Sequence, residues 1–464
     1  MSRRPIYMKN KSNSIVIFVL FAVLVVLVYG YNKSFSLQSV IESSMLKDNS
    51  FKGKVEEIFG KKSNIKAYFM QQNEVPIVAV SFMFENTGSA YDETGKKGAA
   101  SLIVSTIKDG AGNKSADEIR DETGEKGILI SFDVSKDSIS GSLVTPKEYL
   151  DDAVKLLQNI LTKPKFERKY LEIAKAQTLK TLEVEKENPA KELILANNKF
   201  VFGEHEYAQN PLGNADDIAN ISQDDLKDFV KKRLAKNNLY VGVVGDVSKD
   251  EAENFIDEIF ESLAETNNAK KIENAVLNFN KQKLKINRSG GQNIVTFTTK
   301  GTCRKCKDFY PLYVANYLFG GAGLNSKLNE KIREEEGLTY GAYSSMVLTD
   351  KANLLTIGFS TTKDNFEKAV SMFKNEWKNI QQNGFSEDEV EMAKNYLIAS
   401  YNLRFASISG IADMLVVQQK YDLGPDFLQK RNFYVKNVTV DDVNLAASKY
   451  FADNMLQAQI GTFN

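Results

Sequence analysis

The sequence predicts an α+β protein made of two duplicated halves, each a mostly antiparallel sheet covered by helices, after an N-terminal hydrophobic segment. Three observations lead to this prediction. Runs with strand and helix periodicity alternate from about Phe51 onwards. Short patterns of the first half recur in the second half at a nearly constant distance. An unbroken apolar run precedes both halves.

Residues 15–29 form this apolar run, and extended to Tyr31 it would span about 25 Å as a helix. A bilayer core is about 30 Å thick, so the run is short for a membrane span. It is preceded by four basic residues, which place the N-terminus on the cytoplasmic side: Arg3, Arg4, Lys9 and Lys11. We predict that residues 1–31 are a signal peptide or an uncleaved membrane anchor, and we favour the anchor because no A-x-A cleavage sequence is present. Residues 32–50 are polar and indicate a tether, after which the chain is expected to be exported.

The composition excludes some classes of protein. The chain has 464 residues, of which 42% are apolar, enough for two or three domains with sizeable cores. Lys+Arg and Asp+Glu each number 60, so nothing indicates a nucleic-acid partner. The sequence contains a single histidine, His205, which limits any site that needs several imidazole ligands.

The first half, predicted as residues 51–263, alternates strands and helices. Strands are predicted where β-branched and aromatic residues are enriched, at 77–84, 128–134, 138–144 and 239–244. Helices are predicted at 98–107, near 149–161, 166–187 and 222–234, and from the last strand to about 263. Residues 264–285 are predicted to be a linker, and residues 286–464 the second half.

Four patterns of the first half recur in the second half about 217 positions later. They pair Ala153-Val154 with Ala369-Val370, Phe166 with Phe385, Asp224-Asp225 with Asp441-Asp442, and Gly245 with Gly461. Any one match would be chance, but four at one offset indicate an internal duplication. Halves of this kind suggest sheets with helices on one face.

Residues 320–345 contain the most specific pattern, GGAGLNSKLNEKIREEEGLTYGAYSS. Apolar residues recur every four positions and predict a helix: Leu324, Leu328 and Ile332. Asn325 or Ser326 can cap its start, and Gly337 fits the residue just past its end. A strand is predicted from Leu338.

This arrangement places two functional groups near each other. Arg333 lies on the last predicted helical turn, and Tyr340 follows seven residues later at the predicted strand start. A helix end and a strand start can direct a guanidinium and a phenol into one cleft. The glycines Gly320, Gly321 and Gly323 lack the spacing of phosphate-binding loops and indicate a turn that allows close backbone approach.

The stretch resembles the insulinase/pitrilysin family of zinc peptidases. Members carry a glycine-rich turn, a Ser-x-Leu helix and an Arg-Glu-x-x-Gly-Leu-x-Tyr pattern. The matching residues here are Gly320, Gly321, Gly323, Ser326, Leu328, Arg333, Glu334, Gly337, Leu338 and Tyr340. The resemblance implies that Arg333 and Tyr340 bind substrate opposite a zinc ion. It also implies that the glycine turn is a candidate substrate loop, as in the non-catalytic subunit of mitochondrial processing peptidase.

The same resemblance implies that the chain has lost its own zinc site. Active members carry H-x-x-E-H on a first-half helix, and the corresponding positions here are Ser101, Val104 and Ser105. Hydroxyl groups bind zinc poorly, valine cannot act as a base, and one histidine cannot supply two ligands. The third family ligand, a glutamate, would fall near Glu183 or Glu185. We therefore expect no metal and no other cofactor in this chain, and zinc in a partner subunit.

The single histidine and the two cysteines are interpreted without a metal site. Cys303 and Cys306 form a C-x-x-C pattern without the second pair of a structural zinc site or a thioredoxin-like context. An oxidising compartment after export makes a disulfide plausible, with two free thiols or a redox pair as alternatives. His205 lies in FGEHEYAQNPLG and is interpreted as an ordinary loop residue.

The resemblance leaves two classes of function. In the first, the chain is the non-catalytic subunit of an exported heterodimeric zinc peptidase. It contributes Arg333, Tyr340 and a chamber wall to a zinc-bearing partner of the same family, which hydrolyses peptides. In the second, it is a non-proteolytic scaffold or peptide-binding protein. The retained Arg/Tyr pattern favours the first. The expected location is the bacterial cell envelope, with the chain either anchored in the inner membrane facing the periplasm or secreted to the periplasm.

Overall fold

The structure, a computed structural model, describes residues 51–279 and 283–463. The predicted hydrophobic segment 1–31 and the predicted tether 32–50 lie outside these ranges. Within them, no helix is both long enough and apolar enough to cross a membrane.

Within the described residues, the first half folds around a six-stranded sheet. Its strands are β1 (Glu56–Phe59), β2 (Lys66–Gln71), β3 (Ile77–Glu85), β4 (Leu129–Val134), β5 (Ser138–Pro146) and β6 (Leu239–Gly245). They lie in the order β1-β2-β6-β3-β5-β4, and every neighbouring pair is antiparallel except β2 with β6. The helices of this half are α1 (Ala99–Thr106), α2 (Ala116–Lys126), α3 (Leu150–Thr162), α4 (Arg168–Glu187), α5 (Pro189–Phe202), α6 (Ala215–Asn220), α7 (Gln223–Arg233) and α8 (Lys249–Phe260).

The second half, as far as its residues are described, repeats this arrangement with one strand fewer. Its strands are β7 (Lys283–Asn287), β8 (Asn293–Lys300), β9 (Ala342–Leu348), β10 (Asn353–Thr361) and β11 (Leu456–Gly461), in the order β7-β11-β8-β10-β9. Only β7 and β11 pair in parallel. The helices of this half are α9 (Phe309–Asn316), α10 (Phe366–Asn383), α11 (Glu387–Tyr401), α12 (Ile408–Lys420), α13 (Phe427–Lys436) and α14 (Val440–Tyr450). The predicted fold class, α+β with two mostly antiparallel sheets, is confirmed.

The recurring sequence patterns occupy equivalent places in the two halves. Asp225 completes a capping box at the start of α7, and Asp442 completes the same box at the start of α14. Gly245 ends β6 with a φ of 151°, and Gly461 ends β11 with a φ of 148°. Side-chain-bearing residues rarely adopt this backbone conformation, so the repeated glycines have a structural cause.

Each sheet is covered on its second face by a helix from the other half. Helix α12 packs on β3 and β6 of the first sheet, where Ala412 and Leu415 are fully buried. Helix α5 packs on β11 of the second sheet, with Leu193 buried against Ala458 and Ile460. The sequence suggested helices on one face of each sheet. The observed exchange buries the second apolar face as well, which an isolated half would leave in water.

The connection between the halves is packed rather than loose. Residues 264–279 contain no helix or strand, as expected for the predicted linker 264–285, but β7 already begins at Lys283 because it pairs with β11. Ile272 and Phe279 are buried with Tyr207 of the first half and Leu354 of the second. The described residues from Phe51 onwards accordingly cluster as one compact unit.

Candidate functional site

Helix α1 carries the positions that correspond to the zinc motif, and a buried carboxylate holds its start. Asp92, 1% exposed, accepts hydrogen bonds from the backbone N–H groups of Gly98 at 2.8 Å and Ala100 at 3.0 Å. Burial raises the pKa of Asp92 to about 7, although both N–H donors act to lower it. Gly98 has a φ of 98°, and a Cβ there would lie 2.5 Å from the carbonyl oxygen of Leu212. The helix is thereby fixed against the loop that contains Leu212.

The side chains at the three zinc-motif positions do not fit a metal ion. The Oγ of Ser101 donates a hydrogen bond to the carbonyl oxygen of Pro211 at 2.9 Å, and that of Ser105 donates to Leu102 in its own helix at 2.9 Å. Val104 packs against the apolar core of the first half. None of the three supplies an imidazole, thiolate or carboxylate, the groups that bind zinc in proteins.

The glutamates near the predicted third-ligand position lie on α4. Glu185 accepts a hydrogen bond from Nδ2 of Asn210 at 3.0 Å and lies 3.4 Å from Nζ of Lys191. Glu183 is exposed. Across residues 51–279 and 283–463, no three His, Cys, Asp or Glu side chains are grouped so that they could hold a metal ion.

His205 and the two cysteines each make contacts of their own. The Nδ1 of His205 accepts a hydrogen bond from the N–H of Tyr207 at 3.1 Å, and its Nε2 lies 3.0 Å from the carbonyl oxygen of Glu273. The imidazole therefore links its loop to the connection between the halves. Cys303 and Cys306 are joined by a disulfide in the loop before α9.

The glycine turn of the second half is built around Asn329, which the sequence pattern did not identify. Asn329 is 2% exposed, and its Nδ2 donates hydrogen bonds to the carbonyl oxygens of Gly323 and Ala342, both at 2.7 Å. Its Oδ1 accepts a hydrogen bond from the N–H of Ala342 at 3.0 Å. Gly320 lies against Ser344 of β9, where a Cβ would come within 2.7 Å. An amide with donors and an acceptor can bridge two backbones in this way, so Asn329 fixes the turn to the start of β9.

The helix after the turn differs from its prediction. Gly323–Asn325 form a short 3-10 turn, and Asn329–Glu334 adopt π-helical hydrogen bonding. The hydroxyl of Ser326 accepts the N–H of Asn329 at 3.4 Å and so caps the start. Leu324 is 56% exposed, because the 3-10 turn separates it from the helical face, and its predicted place on that face is wrong. Short π-helical segments occur often at functional sites.

The end of this helix follows its prediction, but the strand starts later than predicted. Gly337 has a φ of 63°, as expected for the residue past a helix end. Strand β9 begins at Ala342 rather than Leu338. The intervening backbone is held by a side chain instead of by strand pairing, since Oγ1 of Thr339 donates a hydrogen bond to the carbonyl oxygen of Ser360 at 2.7 Å.

Arg333 and Tyr340 are both presented to solvent beside this turn. The side chain of Arg333 is 35% exposed and lies 3.8 Å from a carboxylate oxygen of Glu334. Tyr340 is 85% exposed and extends from the loop between the buried Leu338 and β9. In the part of the chain that the structure describes, no hydrogen bond joins Arg333 to Tyr340 and none joins either to α1. The guanidinium and the phenol are thus available to a ligand, in a different half from the zinc-motif helix.

Comparison with known families matches both halves. The model of the insulinase family, peptidase family M16, matches residues 69–213, which include α1. The model of the peptidase M16 inactive domain matches residues 220–397, which include the glycine turn, Arg333 and Tyr340.

Individual relatives agree with this match. The chain is 26% identical over 351 residues to the non-peptidase homolog YmxG of Helicobacter pylori, covering 75% of this chain and 80% of that protein. It is 26% identical over 258 residues to the probable inactive metalloprotease YmfF of Bacillus subtilis, covering 53% and 57%. The crystal structure of a peptidase M16 inactive domain from Pseudomonas fluorescens superimposes with a TM-score of 0.83 at 25% identity, covering 88% of this chain and 98% of that one. At the positions of the zinc motif the chain carries Ser101, Val104 and Ser105, and it is similar to relatives named as inactive or non-peptidase. The chain therefore belongs to the insulinase family, peptidase family M16.

Proposed function

We propose that this protein is the non-catalytic subunit of an exported heterodimeric zinc peptidase. It contributes Arg333, Tyr340 and a chamber wall to a zinc-bearing partner of the same family, which hydrolyses peptides. One contrast carries the proposal. Helix α1 has no side chains that bind a metal, whereas Tyr340 is 85% exposed and extends from a loop whose preceding residues are held in place. A chain with no remaining role in peptide hydrolysis has no need of an exposed tyrosine on such a loop.

The loop around Tyr340 holds the phenol in a defined place. Leu338 is 6% exposed, and its carbonyl oxygen accepts a hydrogen bond from the hydroxyl of Thr361. Thr339 is bound through its hydroxyl to the backbone of Ser360 on β10. Residues on one side of Tyr340 thus point inward and are bonded, while the phenol points outward. A group held on a rigid frame loses little freedom when it binds a substrate.

The chemistry of the two groups suits peptide hydrolysis at a neighbouring subunit. Hydrolysis builds negative charge on the scissile carbonyl oxygen, and a phenol O–H directed there donates a hydrogen bond that strengthens in the transition state. The guanidinium of Arg333 can hold a nearby substrate carbonyl by charge-assisted hydrogen bonds and fix the register of the peptide. Because α1 cannot hold the metal, the scissile bond is presented by the partner.

Replacing Tyr340 by phenylalanine is expected to lower kcat of the reconstituted pair on the order of 100-fold, because the oxyanion loses one donor. Arg333→Ala is expected to raise KM as well, because the substrate loses its positioning contact. Turnover of a fluorogenic peptide by the purified pair measures both effects. Size-exclusion chromatography of each mixture shows whether the variants still assemble.

The matched control is Tyr343→Phe, which removes a hydroxyl from a tyrosine that is 60% exposed on the adjacent strand β9 and should leave turnover unchanged. A second control is the wild-type chain alone, which should contain no stoichiometric zinc and cleave no peptide. If Tyr340→Phe and Arg333→Ala assemble and turn over peptide at the wild-type rate, the proposed role is wrong. The non-proteolytic scaffold or peptide-binding function then gains support.

Export is part of the proposal and rests on the sequence of residues 1–31, where basic residues precede the apolar run. We expect alkaline phosphatase fused after residue 464 to be active in intact cells, because this enzyme needs the oxidising conditions outside the cytoplasm for its disulfides. A fusion that lacks residues 1–31 is the control and should be inactive. Equal activity of the two fusions would contradict export by this segment.

A further inference from the structure

The second half contains a pocket of about 690 Å³ that neither candidate site uses. It is lined mainly by aromatic and aliphatic side chains of α9, α12 and α13 and of the adjoining loops. Three arginines also line it: Arg304, Arg404 and Arg431. Its size is in the range of pockets that bind small ligands or short peptide segments.

Aromatic rings hold two of the arginines in place. The guanidinium carbon of Arg304 lies 4.1 Å from the ring centre of Phe309 and 5.2 Å from that of Phe427. Arg431 is 6% exposed, and its guanidinium lies 4.3 Å from the ring centre of Tyr401. Stacking of this kind orients the planar guanidinium. Arg431 already uses its edge, because Nη1 donates to the carbonyl oxygen of Leu397 at 2.7 Å and Nη2 to the hydroxyl of Tyr313 at 3.3 Å, so Arg304 is the stacked arginine that can donate to a ligand.

The positive charge of the pocket is not balanced by ion pairs. In the described part of the chain, none of the three arginines forms an ion pair with a carboxylate; the arginine ion pairs found there involve Arg120, Arg233, Arg288 and Arg333. The acidic side chain that lines the pocket, Asp413, accepts a hydrogen bond from the hydroxyl of Ser81 at 2.6 Å. Three positive groups against one negative group, among apolar walls, favour an anionic ligand.

A buried acceptor in the same pocket has no donor among residues 51–279 and 283–463. Gln418 is 1% exposed and lines the pocket; its Nε2 donates a hydrogen bond to the carbonyl oxygen of Gly424, but within these ranges its Oε1 has no partner. Buried polar atoms are nearly always paired in folded proteins, so this oxygen indicates a ligand that brings its own N–H or O–H group.

We propose that this pocket binds the C-terminal end of a peptide that finishes in a large hydrophobic residue. The terminal carboxylate pairs with Arg304 and Arg404, and the last side chain enters the apolar wall. A backbone N–H of the peptide donates to Oε1 of Gln418. A fatty acid has a carboxylate and an apolar body but no N–H donor, and a single amino acid fills only a small part of the pocket. The site belongs to this chain alone and does not rest on Tyr340 or on a partner.

The test is fluorescence polarisation with the full chain and fluorescein-Gly-Ala-Ala-Phe as the probe. We expect saturable binding of the free acid and at least about 10-fold weaker binding of the same peptide with an amidated C-terminus, because charge-assisted hydrogen bonds are lost. Arg304→Ala should weaken binding of the free acid about 10-fold and should remove most of the difference between acid and amide. The matched control is Arg168→Ala, an exposed arginine at the start of α4, which should bind like the wild type.

Competition with decanoate and with N-acetylphenylalanine separates the ligand classes, and neither should displace the probe as well as unlabelled Gly-Ala-Ala-Phe. Gln418→Leu should weaken the peptide more than decanoate, and circular dichroism shows that each variant remains folded. If the free acid does not bind, if acid and amide bind equally, or if decanoate competes better than the peptide, the assignment is wrong. None of these results depends on whether Tyr340→Phe affects turnover, so the two proposals succeed or fail separately.

Discussion

Replacing Lys420 by methionine should lower the free energy of unfolding by about 3–5 kcal/mol at pH 7. Nζ of Lys420 lies 2.8 Å from a carboxylate oxygen of Asp350, and the two side chains are only 10% and 12% exposed. Methionine keeps much of the volume but leaves the Asp350 carboxylate buried without a counter-ion. Removing one partner of a buried pair is far more costly than losing a surface pair. Urea unfolding followed by circular dichroism measures the change.

The effect is large because two further carboxyl groups surround the pair. Burial raises the pKa of Glu85, and the negative charge of Asp350 raises it further. The same two causes raise the pKa of Asp137, whose carboxylate accepts the N–H of Asp350 at 3.1 Å. Burial is the largest single influence on the pKa of Lys420 and lowers it, but the charge and hydrogen bond of Asp350, together with the charges of Tyr421 and Glu85, raise the net pKa. Lys420 therefore offsets carboxyl groups from both halves.

The pKa shifts fix the sign of the pH dependence. A carboxyl group with a raised pKa in the folded state binds a proton more readily when folded, so it favours the folded state most at low pH. That contribution falls as the pH rises from the ordinary value, about 4, through the raised value. In the Lys420→Met variant the lysine no longer offsets the charges of Glu85 and Asp137, and protonation of these two carboxylates removes those charges. Its loss of stability relative to the wild type should therefore be smaller at pH 5 than at pH 7.

Two controls distinguish the buried pair from a general effect of removing a lysine. Lys430→Met removes a lysine that is 55% exposed and pairs with Asp426, and it should leave stability nearly unchanged, because solvent screens an exposed ion pair. The double variant Lys420→Met/Asp350→Asn should recover part of the loss, because it leaves no unpaired buried charge from this pair. If Lys420→Met and Lys430→Met have equal effects, the ion pair does not act as proposed.

Replacing Leu415 by alanine should lower the free energy of unfolding by about 2–5 kcal/mol, and both halves should lose stability together. Leu415 is fully buried where α12 of the second half packs on β3 and β6 of the first. The approach is close, because a Cβ added to Gly242 on β6 would lie 2.9 Å from Cβ of Leu415. The variant leaves a cavity at this contact. Since each sheet needs a helix of the other half, we expect a single unfolding transition.

The sequence provides a probe for this experiment. Trp377 is the only tryptophan of the chain; it is 1% exposed and stacks on Phe451 within the core of the second half, away from the contact of α12 with the first sheet. Its fluorescence and the far-ultraviolet circular dichroism should shift to lower urea by the same amount in Leu415→Ala. The control Leu445→Ala, at a position 68% exposed on α14, should change neither signal. Separate transitions for the two signals would show that the halves unfold independently.

Local sequence was sufficient for the features that depend on neighbouring residues or on residue identity. The enrichment of β-branched and aromatic residues at 77–84 predicted β3, and the glycine at position 337 predicted the end of the helical segment. The offset of about 217 residues predicted two halves, because a duplicated sequence folds into duplicated packing. The loss of the zinc motif also follows from residue types alone, since no fold can make two imidazole ligands from His205.

The tertiary structure decided what depends on partners distant in sequence. The sequence patterns did not single out α12 or α5, and the apolar face that each helix covers lies in the other half. In the sequence, Asn329 looks like an exposed helix residue. In the structure it is buried, because its side-chain amide forms hydrogen bonds with the backbone of Gly323 and Ala342. The exposure of Tyr340 and the grouping of arginines around Gln418 likewise follow from the arrangement of helices and strands. A side chain is buried or presented according to what folds over it, and burial and charge balance are properties of that three-dimensional neighbourhood.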